Sequence, residues 1–243
     1  MQCILLAAGY ATRLYPLTKD KPKALLEIGD ETILDKVIKK AEEIPQINDI
    51  YIVTNSKFSD CFKNHKYSAR SRITVLDDGT TDNSNRLGAI GDLEFTIEQM
   101  NIDDDILVMA SDNIFDFSLC DMYSLFKKKD CDTICARVVN SKAELRTMGV
   151  LELDGLKVTG VVEKPQEPKT NLGVPPFYMY KRETLPLISE YLKSGNNPDA
   201  PGHLVPWLIT KKDVYAYVFD GTVTDIGTPE SYERVCREAE KNK

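Results

Sequence analysis

The chain has 243 residues, 42 % hydrophobic and 28 % charged, with a formal net charge of −7. That length suits one sizeable α/β domain with a real core, and the negative balance argues against a nucleic-acid partner, which would call for a basic face. The two histidines, His65 and His203, lie far apart in polar or Pro-rich surroundings; they read as surface residues and leave little material for Ser-His, Cys-His or His-metal catalysis.

Cys3 to Leu6 is an apolar run that empties into Ala7-Ala8-Gly9, followed by Thr12, Arg13 and, ten residues after Arg13, Lys23. A strand ending in a small-residue loop exposes backbone N–H groups to a ligand, and a planar guanidinium plus a mobile ammonium suit a polyphosphate. Pro16 and Pro22 keep the intervening segment out of helix. The spacing of Ile33, Leu34, Val37, Ile38, Ala41 and Ile44 predicts a helix closed by Pro45. Ile50 to Val53 reads as a buried parallel strand, Phe58 to His65 as a short helix, and Ile73 to Leu76 as another strand. This alternation predicts an α/β fold: a Rossmann-like, doubly wound, mostly parallel mixed sheet with helices on both faces, in a single domain over 1–243 with an N-terminal half (1–115) and a C-terminal half (116–243).

Asp77 to Leu87 is a polar loop longer than a simple connection needs, at the carboxyl end of a strand where ligands bind. Asp105 to Ala110 is the next strand and delivers Ser111-Asp112-Asn113; a carboxylate there suits magnesium, which prefers one or two carboxylates with water and phosphate oxygens completing its shell. Lys127-Lys128-Lys129 ends a helical pattern and complements its dipole. Thr133 to Val139 reads as a strand, with Cys131 and Cys135 as buried thiols on one of its faces. Met148 to Val162 reads as a hairpin turning at Asp154-Gly155. Beyond Glu163-Lys164-Pro165 come a strand at Phe177 to Tyr180, a helix at Glu183 to Leu192, a Gly/Asn/Pro-rich stretch from Ser194 to Pro206, a strand at Val214 to Phe219, and a last helix with Thr228 as N-cap and Pro229 at its first position. The cysteine spacing contains no C-x-x-C pair, Met1 leads almost directly into a strand and no apolar stretch reaches membrane-span length, so the expectation is a cytoplasmic protein with no membrane partner.

Leu6-Ala7-Ala8-Gly9, Thr12-Arg13-Leu14, Pro16-Leu17-Thr18, Pro22-Lys23-Ala24-Leu25-Leu26, Ser111-Asp112-Asn113, Glu163-Lys164-Pro165 and Asp225-Ile226-Gly227-Thr228-Pro229-Glu230-Ser231 together resemble the nucleotidyltransferases that join a nucleotide to a sugar 1-phosphate. Two departures stand out: Ala11 where the family usually has a second Gly, and Ser111 for the Gly of Gly-Asp-Asn. The resemblance implies nucleotide contacts from Leu6, Ala7, Ala8, Gly9, Ala11, Thr12, Arg13, Lys23, Asn85 and Gly88. It implies acceptor contacts from Asn113, Gly149, Glu163, Lys164 and Tyr178, with Arg13, Lys23 and Lys164 as catalytic cations. Mg2+ would sit on Asp112 and Asp225.

The implied reaction is transfer from an NTP to a sugar 1-phosphate with release of pyrophosphate; a phosphate dianion is already nucleophilic, so positioning and charge neutralisation suffice. Alternatives are a cytidylyltransferase acting on a non-sugar phosphate such as phosphocholine, and a catalytically silent sugar-nucleotide-binding regulatory protein. A nicotinamide-dependent oxidoreductase fails for want of G-x-G-x-x-G. Pro175-Pro176, where hexose 1-phosphate enzymes commonly carry Thr-Gly, predicts that glucose 1-phosphate is not the best acceptor. A homo-oligomer is compatible with the sequence.

Overall fold

The structure, a computed structural model, describes residues 1–67 and 70–241. In chain order its elements are β1 (Gln2–Leu6), β2 (Glu27–Ile28), β3 (Glu31–Thr32), α1 (Ile33–Ala41), β4 (Ile50–Thr54), α2 (Ser59–Lys63), β5 (Ile73–Asp77), α3 (Ala89–Gln99), β6 (Ile106–Ala110), β7 (Asn113–Phe115), α4 (Leu119–Lys129), β8 (Asp132–Val138), α5 (Lys142–Leu145), β9 (Gly149–Asp154), β10 (Lys157–Glu163), β11 (Leu172–Val174), β12 (Phe177–Tyr180), α6 (Leu185–Lys193), α7 (Leu204–Leu208), β13 (Val214–Phe219), β14 (Val223–Asp225) and α8 (Pro229–Lys241).

Among the described residues, ten strands form one mixed sheet in the order β11, β9, β10, β13, β8, β12, β6, β1, β4, β5. β1 lies between β6 and β4, parallel to both, and β5 extends the parallel run. Covered on both faces, β1 is apolar throughout its middle: Cys3 and Leu5 point into the core shared with α1 and α4, while Ile4 points into the core shared with α3 and α6, all three fully buried. Helices therefore pack on both sides of an α/β sheet.

The sheet is not mostly parallel, however. β12 inserts antiparallel between β6 and β8, β10 runs antiparallel to β13 and β9, and β11 pairs antiparallel with β9 and also with β8. The strands β8, β13, β10, β9 and β11 thus close into a small barrel-like ring. Hairpins dictate this: β9 and β10 are joined at Asp154-Gly155-Leu156, with Gly155 at φ +59°, and a two-stranded turn can only give antiparallel neighbours.

Cys135 is buried in β8 beside Met122, but Cys131 precedes the strand and is half-buried, so the two do not share a strand face. His65 is not a surface residue. Its side chain is 13 % exposed and its Nε2 lies 3.4 Å from Asp35, which the Thr32–Asp35 capping box at the start of α1 buries. The predicted α8 start holds: Thr228 and Ser231 exchange hydrogen bonds across the first turn. Among the described residues no helix is long and apolar enough to cross a membrane.

Candidate active site

The loop after β1 is fastened from beneath and open above. The Ala7 N–H donates to the Val53 carbonyl (2.9 Å), and Asn55 Nδ2 donates to the Ala8 carbonyl (2.8 Å). Gly9 is exposed, and a Cβ there would touch nothing within 4 Å, which leaves room for a ligand against the backbone. Ala11 occupies the left-handed region at φ 47°, ψ 40°, a conformation that favours glycine, although the residue there is Ala. Its carbonyl accepts hydrogen bonds from the buried Thr18 hydroxyl (2.8 Å) and from the Leu14 N–H (3.0 Å), which fix that conformation despite its cost of ~1 kcal/mol. A single 3-10 turn, Thr12–Leu14, then carries Thr12 and Arg13 into solvent.

The carboxylates Asp112 and Asp225 come from opposite ends of the sequence and meet through a two-stranded ribbon. β7 and β14 pair antiparallel with Asn113 opposite Asp225, and the Ile226 N–H donates to the Asp112 carbonyl. Ser111, in the place of the family's Gly, donates its hydroxyl to the Leu6 carbonyl (2.8 Å) and so draws Asp112 up to the loop. Lys23 Nζ reaches both carboxylates, at 2.5 Å from Asp112 Oδ2 and 3.6 Å from Asp225 Oδ1. A Cβ on Gly227 would stand 2.8 Å from Asp225 Oδ2 and 3.8 Å from the Arg13 guanidinium, so those groups also converge.

Crowding by the surrounding loops, and next the Asp112 carboxylate, raise the Asp225 carboxyl above its ordinary value, with Lys23 and Arg13 opposing. With 60 % of the side chain exposed, the like charge is the more durable cause. The donor set fits magnesium: two hard carboxylate oxygens, already gathered around a cation, beside an open loop of small residues.

Asn113, expected to contact the acceptor, donates its amide to Asp112 Oδ1 (2.7 Å) and orients that carboxylate. A second cluster surrounds Glu163. Gly149 stands opposite it in the β9–β10 pairing, and Cβ atoms placed on Gly149 and Gly202 would lie 3.1 and 3.0 Å from its Oε2. The Gly202 Cβ position is 3.7 Å from the Tyr178 hydroxyl, and burial, followed by the Glu163 carboxylate, pushes that phenol up. Gly202, in the Ser194 to Pro206 stretch, was not predicted; nothing in its local sequence marks it. Lys164 is 62 % exposed at φ 49° and pairs with Glu163 at 4.0 Å rather than with Asp112 or Asp225 among the described residues.

In the Asp77 to Leu87 loop, Asn85 Oδ1 caps the Thr81 and Asp82 N–H groups, so this side chain shapes the loop. Gly88 sits at φ 80° where a Cβ would be 2.6 Å from the Pro198 carbonyl oxygen; Ile90 N–H donates to that same oxygen (2.9 Å), and Arg86 pairs with Asp199 (3.0 Å). The Asn197–Gly202 segment therefore touches the long loop at one end and the Glu163 cluster at the other.

A family model described as nucleotidyl transferase matches residues 2–242. The chain is 29 % identical over 239 residues to a Sulfolobus acidocaldarius protein provisionally named a mannose-1-phosphate guanyltransferase, covering 97 % of this chain and 62 % of that protein. It is 28 % identical over 232 residues to the UTP–glucose-1-phosphate uridylyltransferase AglF of Haloferax volcanii, covering 95 % and 93 %. A solved UDP-glucose pyrophosphorylase, complexed with UDP-glucose, shares the fold at a TM-score of 0.84 and 21 % identity, over 100 % of this chain and 99 % of that one.

Proposed function

The chain belongs to the nucleotidyl transferase family, and on that premise we propose that it transfers a nucleotidyl group from an NTP to a sugar 1-phosphate, making an NDP-sugar and releasing pyrophosphate. The observation that carries this reading is the convergence of Lys23 with Asp112 and Asp225 beside an open loop of small residues. Such a site gathers phosphate oxygens and the charge that develops on them.

In this reading the Ala8–Thr12 backbone and Arg13 hold the triphosphate, and Lys23 neutralises the α-phosphate. Lys164 meets the incoming phosphate, while Glu163, Gly149 and Tyr178 line the acceptor pocket. An acceptor oxygen attacks the α-phosphorus in line with the departing pyrophosphate; the dianion needs no general base, and His65 is committed to Asp35. Magnesium on Asp112 and Asp225 would neutralise phosphate charge.

Glucose 1-phosphate is not the best acceptor in this reading, since the Pro175-Pro176 pair supplies no backbone donor and anchors β12 through a hydrogen bond from Ala110 N–H to the Pro176 carbonyl. The test is a pyrophosphate-release screen crossing all NTPs with sugar 1-phosphates, phosphocholine and other phosphate monoesters. Release that requires both an NTP and a sugar 1-phosphate is expected; no release with any pair overturns the assignment. A kcat/KM for glucose 1-phosphate above every other acceptor overturns the acceptor preference.

A further inference from the structure

The loop from Asp77 to Leu87 is tied down by a chain of buried polar groups that the proposed chemistry does not use. Asp92, in the first turn of α3, is 6 % exposed, and its Oδ1 is buried with no donor among the described residues. The Oδ2 of Asp78 is likewise buried without a donor. The Asp78 carboxyl acts on Asp92 at short range, and two carboxylates cannot satisfy each other because both only accept. Asp78 Oδ1 meanwhile accepts from both the backbone N–H and the hydroxyl of Thr80, each at 2.7 Å. With the Thr80 proton committed to Asp78, the Tyr10 hydroxyl is the donor in its 3.2 Å contact with Thr80 Oγ1. Tyr10 and Thr80 are 6 % and 4 % exposed.

We propose that Asp78 and Asp92 share one proton through these buried oxygens, and that the resulting carboxyl–carboxylate pair is a positioning element that fixes the Asp77 to Leu87 loop against both α3 and the phosphate loop. The chain of contacts runs Asp92, Asp78, Thr80, Tyr10, and so connects the start of α3, one residue beyond Gly88, to the residue next to Gly9. One proton makes every member satisfied; losing it leaves two like charges in a site that water does not reach, and the loop must move to hydrate them.

The charged and titratable surroundings agree with this. Burial, then the Asp78 charge and hydrogen bond, push the Asp92 carboxyl up to about 8. Burial raises the Tyr10 phenol, with Asp78, Asp82 and Asp77 adding to the effect. Asp77 is held by the Ser56 hydroxyl and the Gly79 N–H, and α6, on α3's other side, meets Glu94 through Ser189 and Lys193.

The shared proton stands by itself; its effect on nucleotide rests on the function proposed above. Two measurements separate them. Carboxyl-carbon NMR titration of the ligand-free protein with labelled aspartate reads the proton: one carboxyl titrating near pH 8, absent in Asp92→Asn, is expected, and ordinary titration of all aspartates overturns the pair. Equilibrium binding of ATP, GTP, CTP, UTP and dTTP with magnesium, from pH 6 to 9.5, reads the positioning.

For the tightest of these nucleotides, Kd should rise by up to ~10-fold per pH unit above 8 in the wild type. It should stay flat in Asp92→Asn, whose amide still donates to Asp78. Asp92→Ala should bind weakly at pH 7, and Tyr10→Phe should weaken binding at every pH without moving the NMR titration. An unchanged alkaline rise in Asp92→Asn overturns the positioning role. Failure of every NTP to bind while the high titration persists overturns the nucleotide reading and the positioning role with it.

Discussion

Asn113 and Asp225 stand opposite each other in the β7–β14 ribbon, and this register is what sets the Asp112 carboxylate beside Asp225 although the two aspartates lie 113 positions apart in sequence. Asp112→Asn and Asp225→Asn should each lower kcat by about a hundredfold or more, because each removes one of the two carboxylates proposed to organise the phosphates. Circular dichroism should show the fold intact in both. Near-normal turnover of either variant at saturating magnesium excludes the shared site.

Lys23 neutralises both carboxylates, so Lys23→Ala should lose activity and also stability, by about 1 kcal/mol, a modest figure because water reaches Asp225. Adding Asp225→Asn to Lys23→Ala should recover part of that loss by relieving the repulsion. A double-mutant cycle in urea reads the coupling directly; strict additivity would show that the three groups do not interact.

Ala11 tests whether the loop tolerates its departure from the family's glycine. Ala11→Gly relieves left-handed strain but frees the unfolded chain, two effects of about 1 kcal/mol that nearly cancel. Ala11→Val, β-branched, should instead cost at least 1 kcal/mol more than Ala. Urea midpoints of the three proteins, with nucleotide Kd measured alongside, decide this; equal midpoints for Ala and Val would mean that the loop has shifted away from the left-handed region.

Gly202→Ala should raise the acceptor KM several-fold with little change in nucleotide binding, because its Cβ would press on the Glu163 carboxylate and not on the phosphate loop. Gly88→Ala is a harsher change. Its Cβ meets the Pro198 backbone and its φ disfavours any side chain, so loss of ~1–3 kcal/mol in thermal or denaturant stability is expected. If Gly202→Ala altered nucleotide and acceptor binding alike, the Glu163 cluster would not be a separate acceptor pocket.

His65 gives the fold an acid-sensitive joint. Burial lowers its pKa, opposed by Asp35 and reinforced by Lys66 and Lys21, so the folded state binds the proton less readily than the unfolded chain. Stability from this source is present above the ordinary histidine value of about 6.5 and is lost as pH falls from there through the lowered folded value. His65→Gln should flatten the decline of the urea midpoint in that range, and an unchanged slope would place its origin elsewhere.

The parallel half was readable because β1, β4, β5 and β6 are short continuous apolar runs separated by helical periodicity, and because phosphate loops keep small residues and cations in fixed order. The Glu163-Lys164 hairpin was readable from Asp154-Gly155. What was not legible depends on long-range pairing: β12 inserting between β6 and β8, and β11 closing the ring, are choices among equally apolar strands. His65 was misread because the burial of Asp35 by its capping box, and so the need for a neighbour, appears only once α1 and α2 pack. Gly202 and Asn55 act through contacts across the fold, and their local sequences carry no signal of it.

The β7–β14 ribbon also has a consequence for synthesis. Asp225 is the last site residue to be made, more than two hundred positions after the phosphate loop that it faces. A nascent chain paused after Phe219 has the material for the loop, Lys23, Asp112 and the ring strands, yet Lys23 has a single carboxylate to meet and Asp112 has no strand to pair beside it. Proteolytic loss of β14 and α8 would have the same result, leaving much of the substrate-contacting surface without the paired carboxylates. On the proposed function, turnover therefore waits for β14 and is acquired in one step when that strand zips onto β7.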